Sequence, residues 1–258
     1  MELDSDSALN VAQHNLEWAL RRKGPDSQFA INARVEVAER LEDRGRFEEA
    51  SVLRAEISDQ LRRHLGPDEP GTLTAEAFEG LDLDRLGRSS DALLLFEHVL
   101  AGRIEALGPN DELTLLAMEW LGCTQRNLGN LDESRRLLED AVRRYALIGA
   151  GESDDCIKTT AHLATTLFEL EELREACVLQ RQVVDVRTRT LGQDDPATLG
   201  SLRNLAITLW WLDELEEARV IARSVVDQIE RLYGKDDSRT QQARELMNDL
   251  AETANPDS

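Results

Sequence analysis

The residues of this chain that could do chemistry are four histidines, three cysteines and a surplus of carboxylates, and their spacing argues against catalysis. His14, His64, His98 and His162 stand singly, with no nucleophile or carboxylate at a recurring distance that would make one of them a base. Cys123, Cys156 and Cys177 are far apart and lack metal-ligand spacing, so they read as small packing residues in a reducing cytosol. Gly149-Ala150-Gly151 is too short and isolated to cradle a phosphate. No enzyme activity, metal or cofactor is therefore expected. What remains is recognition, and Trp210 and Trp211 are its best candidates. Adjacent helical residues differ by about 100° in direction, so both cannot point into a core that Leu209 and Leu212 already fill. Either at least one faces outward as a binding anchor, or the pair packs beside Phe168; an exposed tryptophan anchor contributes about 2 kcal/mol or more when a partner buries it.

Charge narrows the partner. With 51 acidic against 30 basic residues and a net charge of −21, the chain lacks the clustered cations that release counterions from nucleic acid, and it is repelled by an anionic membrane surface. A protein or peptide partner, neutral or basic, is expected. The acidic start Met1-Glu2-Leu3-Asp4 is unlike a secretory signal, and no apolar run approaches the roughly 18 residues that span a bilayer, so a cytoplasmic location is expected.

The elements that would position Trp210 and Trp211 are set by a period. Gly24, Gly66, Gly108, Gly192 and Gly234 are spaced by 42 residues or a multiple of 42, with Ala150, between two glycines, at the missing position. Three residues later comes the column Ser27, Glu69, Asp111, Ser153, Asp195, Asp237, of which five have side chains suited to capping a helix start. Pro70 and Pro196 follow at first-turn positions. Each column pair is read as a helix stop, with glycine in a left-handed turn, followed at once by a helix start. Two amphipathic stretches fill each period: in the fifth, Leu199, Leu202, Leu205, Ala206 and Leu209 form one stripe and Ala218, Ile221, Ala222, Val225 and Val226 the other. The turn between them carries Gly45, Gly87 and Gly129 in the first three repeats. A repeat of this length marks a stacked solenoid. Glu79 is the irregularity, standing in the column of Leu121, Leu163 and Leu205, so the second repeat should be loosened or its first helix rotated.

Leu191-Gly192, Asp194-Asp195-Pro196, Thr198-Leu199, Asn204-Leu205-Ala206 and Glu217-Ala218, with Thr72, Thr114 and Thr240 in the Thr198 column, resemble the 42-residue tetratricopeptide repeats of the kinesin light chain type. The resemblance implies an all-α, right-handed solenoid of about twelve helices. It divides the chain into an orphan N-terminal helix at 7–23, repeats at 24–65, 66–107, 108–149, 150–191 and 192–233, a capping helix at 234–253 and a tail at 254–258. It also implies a binding module rather than an enzyme, an adaptor in its own right, the sensor part of a larger bacterial signalling ATPase or transcription regulator, or an accessory subunit presenting a substrate.

In this family first helices line a concave groove. By that register the floor runs from Glu39, Glu42 and Asp43 through Glu119 and Arg126 to Phe168, Arg203, Asn204, Trp210 and Trp211. These residues are expected to hold a peptide or helix with an apolar anchor. Only Asn204 keeps the asparagine with which this family often bonds a peptide backbone, the same column elsewhere reading Glu36, Phe78, Trp120 and His162. Trp120 and Phe78 are expected to pack between helices. In the first helix Leu9, Leu16 and Leu20 form one face while Val11 and Trp18 lie nearly opposite, which marks a possible second interface for self-association or a partner.

Overall fold

The computed structural model describes residues 5–252; residues 1–4 and 253–258, including the expected tail 254–258, lie outside the described residues. The described residues are all-α, with twelve helices in sequential order. One compact unit, Met1–Asn130, holds α1 (Ser5–Lys23), α2 (Gln28–Glu42), α3 (Phe47–His64), α4 (Pro70–Arg85), α5 (Ser89–Leu107) and α6 (Glu112–Asn127). A second, Leu131–Ser258, holds α7 (Leu131–Leu147), α8 (Asp154–Glu169), α9 (Leu173–Leu191), α10 (Pro196–Trp211), α11 (Leu215–Tyr233) and α12 (Ser238–Glu252). Within each unit every helix packs on its neighbours in sequence.

The period is written into the turns. At Gly108, Gly192 and Gly234 the backbone has φ 91°, 94° and 89° with ψ 166°, 161° and 168°. This is extended backbone at positive φ, a region essentially closed to residues with a Cβ, and not the left-handed helical turn that the sequence suggested. Glycine is needed there more strictly than at an ordinary helix cap. In the third repeat the positive φ moves one residue earlier, to Gly149, and the Ala150 amide donates to the Tyr145 carbonyl at 2.8 Å. That six-residue closure is the Schellman form of helix stop, which explains why the glycine column misses at Ala150.

Helix starts follow as expected. The side chains of Ser27, Asp111, Ser153 and Asp195 accept backbone amides at the starts of their helices, Asp237 accepts from the Arg239 amide at 2.9 Å, and Glu69 makes no such bond. The threonine column has its own task. The hydroxyls of Thr72, Thr114 and Thr240, all fully buried, donate to the carbonyls of Gly66, Gly108 and Gly234 at 2.8, 2.9 and 2.7 Å. Each ties a helix to the turn that precedes it and satisfies a carbonyl left over from the helix before. In the turn inside each repeat, Gly45, Gly87 and Gly129 have positive φ, and Glu171 and Asp213 keep it, at 62°, where the glycine is gone.

In the first unit a ladder of polar and charged side chains joins α3 to α4. Arg54, Ser58 and Arg62 share one face of α3 at four-residue spacing, opposite Asp82, Glu79 and Glu76 on the antiparallel α4. Arg54 Nε lies 2.9 Å from Asp82 Oδ2, the Ser58 hydroxyl donates to Glu79, and Arg62 Nη2 donates to Glu76 Oε1 at 2.7 Å. The expectation of a loosened or rotated second repeat is therefore corrected: α4 runs unbroken, because Glu79 meets a serine in a column that elsewhere reads Leu100, Val142 and Val184. Burial raises the Glu79 carboxyl despite the Ser58 bond, and burial together with the nearby Glu42 raises Asp82 to about 6. His98 completes the ladder, with Nδ1 2.6 Å from the buried Glu76 and Nε2 3.2 Å from Asp68. Burial alone would lower its pKa; these two carboxylates outweigh it and raise it.

Candidate binding groove

The residues expected at the acidic start of the floor are engaged within the first unit. Glu42 accepts from Arg54 Nε at 2.8 Å and from Arg85 at 3.4 Å, and Asp43 accepts from Arg40 at 3.1 Å. Glu39 is exposed. Glu119 is buried, and the half-buried Arg126 lies near Cys123, whose thiol burial pushes up to about 12 even though the Arg126 charge opposes it. Such a thiol stays protonated and unreactive at neutral pH. Asp84 accepts from Ser89, from Thr124 at 3.1 Å and from Asn127 at 3.0 Å, joining α4, α5 and α6. Phe78 is exposed beneath the Arg54 guanidinium, 4.7 Å from its ring centroid, while Trp120 packs against Phe96 and under Arg103.

In the second unit the expected floor residues meet in a run of cavities. One, of about 330 Å³, is lined by Lys158, Ala161, His162 and Thr165 of α8, Gln180, Val183 and Arg187 of α9, and Gly200, Ser201, Arg203 and Asn204 of α10. The next, of about 260 Å³, shares Thr165, Gln180 and Asn204 with it and adds Phe168, Glu169 and Ile207. A third, also about 260 Å³, lies between α10, α11 and α12 and shares Gly200 and Arg203. Its floor is apolar, from Leu199, Ala222, Val225 and Ile229, and its far edge is Tyr233 with the Arg239 guanidinium 3.4 Å from the ring centroid. Arg203 and Asn204 thus stand where neighbouring cavities join, as one turn of α10 requires of residues three or four positions from Gly200 and Ile207.

The tryptophans divide between the two alternatives. Trp210 is half-buried among Ala206, Ile221 and Ala222, in the core between α10 and α11. Trp211 is 62% exposed, edge-on to Phe168 at 6.3 Å and to Trp210 at 5.8 Å between ring centroids. Phe168 itself packs on Leu163, Leu167 and Leu138 and lines the groove. The exposed aromatic is therefore held on a packed one, which limits the freedom it would lose on binding. Val11 and Trp18 are exposed on α1, while Leu9, Ala12 and Ala19 of the same helix are buried. Sequence reading missed Gln180 and Arg187 because they sit on a second helix, at columns that are mostly apolar in the other repeats. A polar residue in those columns was the signal.

Antiparallel helix pairs recurring every 42 residues, with a side-chain cap at most first-helix starts and a positive-φ glycine at most stops, define a helical-repeat protein. Residues 114–146, 157–197 and 198–239 match the tetratricopeptide repeat family. Those segments carry tetratricopeptide repeats, and solved repeat proteins share the fold. A putative kinesin light chain of nearly identical TPR-like repeats from Podosopora anserina is similar with TM-score 0.67 and 22% identity, over 78% of this chain and 95% of that one. BtubC (BKLC) from P. vanneervenii is similar with TM-score 0.63 and 13% identity, over 100% and 94%. The apo form of RapI is similar with TM-score 0.55 and 10% identity, over 99% and 77%. At these identities the likeness is one of fold. No curated protein matches the chain in sequence. Among the described residues no helix is long and apolar enough to cross a membrane, and no group of His, Cys, Asp and Glu could hold a metal.

Proposed function

We propose that this chain is a non-enzymatic adaptor that binds a peptide or partner helix in the groove of its second unit. The observation that carries the reading is the run of three cavities joined at Arg203 and Asn204, ending beside the exposed Trp211 on Phe168. Joined concavities of this size, apolar between α10 and α11 and polar in the middle, suit a peptide's alternating side chains and main chain. The partner is a neutral peptide with an apolar anchor: Lys158, Arg187 and Arg203 line the central cavity, and Glu42 and Asp43 of the first repeat are occupied by arginines. The buried or half-buried thiols Cys123, Cys156 and Cys177 support a reducing, cytoplasmic setting.

A positional-scanning library of N-acetylated, C-amidated hexapeptides tests the reading. Trp211→Ala should weaken binding of the best peptides at least about tenfold, or about 1.4 kcal/mol, with the melting temperature unchanged. Trp210→Ala should instead cost about 2 kcal/mol of stability, because it opens a cavity between α10 and α11. Wild-type affinity in Trp211→Ala would overturn the assignment.

A further inference from the structure

One column of the repeat runs along the inner face of the second helices and reads Arg54, Phe96, Leu138, Gln180, Ala222. All five are buried. In the second unit Leu138 and Ala222 fill their places with carbon, but Gln180, 7% exposed, brings an amide whose Oε1 has no hydrogen-bond partner. One helical turn pair further along α9, Arg187 donates through Nη1 to the Ala197 carbonyl at 3.1 Å and to the Ser201 hydroxyl at 2.7 Å, while its buried Nε has none. Both residues line the same cavity of about 330 Å³. A buried unpaired polar group costs about 1–3 kcal/mol, and here an acceptor and a donor are left unpaired on two residues that line one space.

The way in is also built. At the cavity mouth α10 carries Gly200, where the other repeats carry Asn32, Thr74, Leu116 and Lys158, and a Cβ at Gly200 would meet nothing within 4 Å. Ala161 of α8 keeps the opposite wall small. A glycine inside a helix is unfavourable by about 1 kcal/mol relative to alanine, and its φ is not positive here, so no turn requires it.

We propose that this cavity receives the carboxamide side chain of an asparagine or glutamine in the bound peptide. The inference rests on the groove reading above. A carboxamide is one planar group that offers an N–H₂ to Gln180 Oε1 and a carbonyl to Arg187 Nε. Arg203 and Asn204 are exposed and Gln180 is buried, so a side chain reaches Gln180 more readily than a peptide main chain would. A carboxylate supplies no donor to Gln180 Oε1; turning the Gln180 amide over would accommodate it, but burying a full charge costs more than burying a satisfied amide. The three cations around the cavity favour the acceptor end of the carboxamide.

The same hexapeptide library, screened against wild type, Gln180→Leu and Gly200→Leu, tests the subsite. Leucine stands in these columns at Leu138 and Leu116, so both variants carry a residue that the repeat already accepts. Wild type should select Asn or Gln at one position at least about tenfold over Leu, the difference expected when a site's buried polar groups are left unpaired. Gln180→Leu should reverse that preference at that position alone. Gly200→Leu should abolish it without lowering the melting temperature, because the substitution improves the helix while closing the mouth. Selection of Asp or Glu at that position, no preference at all, or a preference that survives Gln180→Leu would overturn the proposal. Peptides that bind through Trp211 without any carboxamide preference would sink the subsite and leave the groove standing. A library in which nothing binds would sink both.

Discussion

Asp82 is the least comfortable residue of the first unit, and replacing it with asparagine should stabilise the protein at neutral pH. Its carboxyl is 1% exposed and faces Glu42 as well as Arg54, and the balance raises it from 3.8 to about 6. At about 1.4 kcal/mol for each tenfold change in ionisation constant, the folded state disfavours the ionised form by at most about 3 kcal/mol. A carboxyl raised on folding contributes stability that is complete below its unfolded value and is lost as pH rises through its folded value. The loss therefore falls between about pH 4 and pH 6.5, and about 1.4 kcal/mol of it falls between pH 5 and pH 7.5. Asp82→Asn keeps the shape and cannot ionise. Urea unfolding followed by circular dichroism should find Asp82→Asn more stable than wild type by up to about 3 kcal/mol at pH 7.5, with the gap about 1.4 kcal/mol smaller at pH 5. Glu79 and His98 are raised as well, so their stabilisation is also lost with rising pH, but it is common to both proteins and cancels in the comparison. A variant less stable than wild type at pH 7.5 would show that the Arg54 pair outweighs burial. A gap independent of pH would refute the reasoning altogether.

Two further expectations follow from the repeat frame. Gly108→Ala should lower stability by about 1–3 kcal/mol, since its backbone lies where a Cβ is strained, whereas Gly200→Ala should raise it by about 0.5–1 kcal/mol; equal effects in thermal melts would contradict the account of the turns. Thr114→Val should cost about 1 kcal/mol by orphaning the Gly108 carbonyl, while Thr198→Val should be close to neutral because the Thr198 hydroxyl has no partner; the reverse order in urea unfolding would refute the role given to this column.

The period made the helices legible, because glycine, cap and threonine columns each answer a backbone requirement that recurs every 42 residues. Five of six caps could be named from side-chain type alone. The backbone at Gly108 was legible only as a stop; its extended ψ depends on how the next helix is approached, and the sequence does not carry that directly. The α3–α4 ladder was half visible. Glu79 stood out as a misfit, but it is the pairing of Glu79 with Ser58, two columns failing together, that keeps α4 regular. Trp210 and Trp211 were separable in principle and not in practice, since choosing between them needs the position of α11, where Ile221 and Ala222 receive Trp210. Gln180 was not legible as a groove residue, because it stands on a second helix in a column that holds Phe96, Leu138 and Ala222 in other repeats.

If partners enter the groove of the second unit, a site-placed crosslinker will label them there. A photoreactive benzoyl-phenylalanine at Thr165, on the groove wall, is compared with one at Val220, which is exposed on α11 and lines none of the three cavities. The hexapeptide bound most tightly by wild type should crosslink at position 165, be displaced there by unlabelled peptide, and leave position 220 unlabelled. Competable crosslinking at 220 with none at 165 would contradict the account.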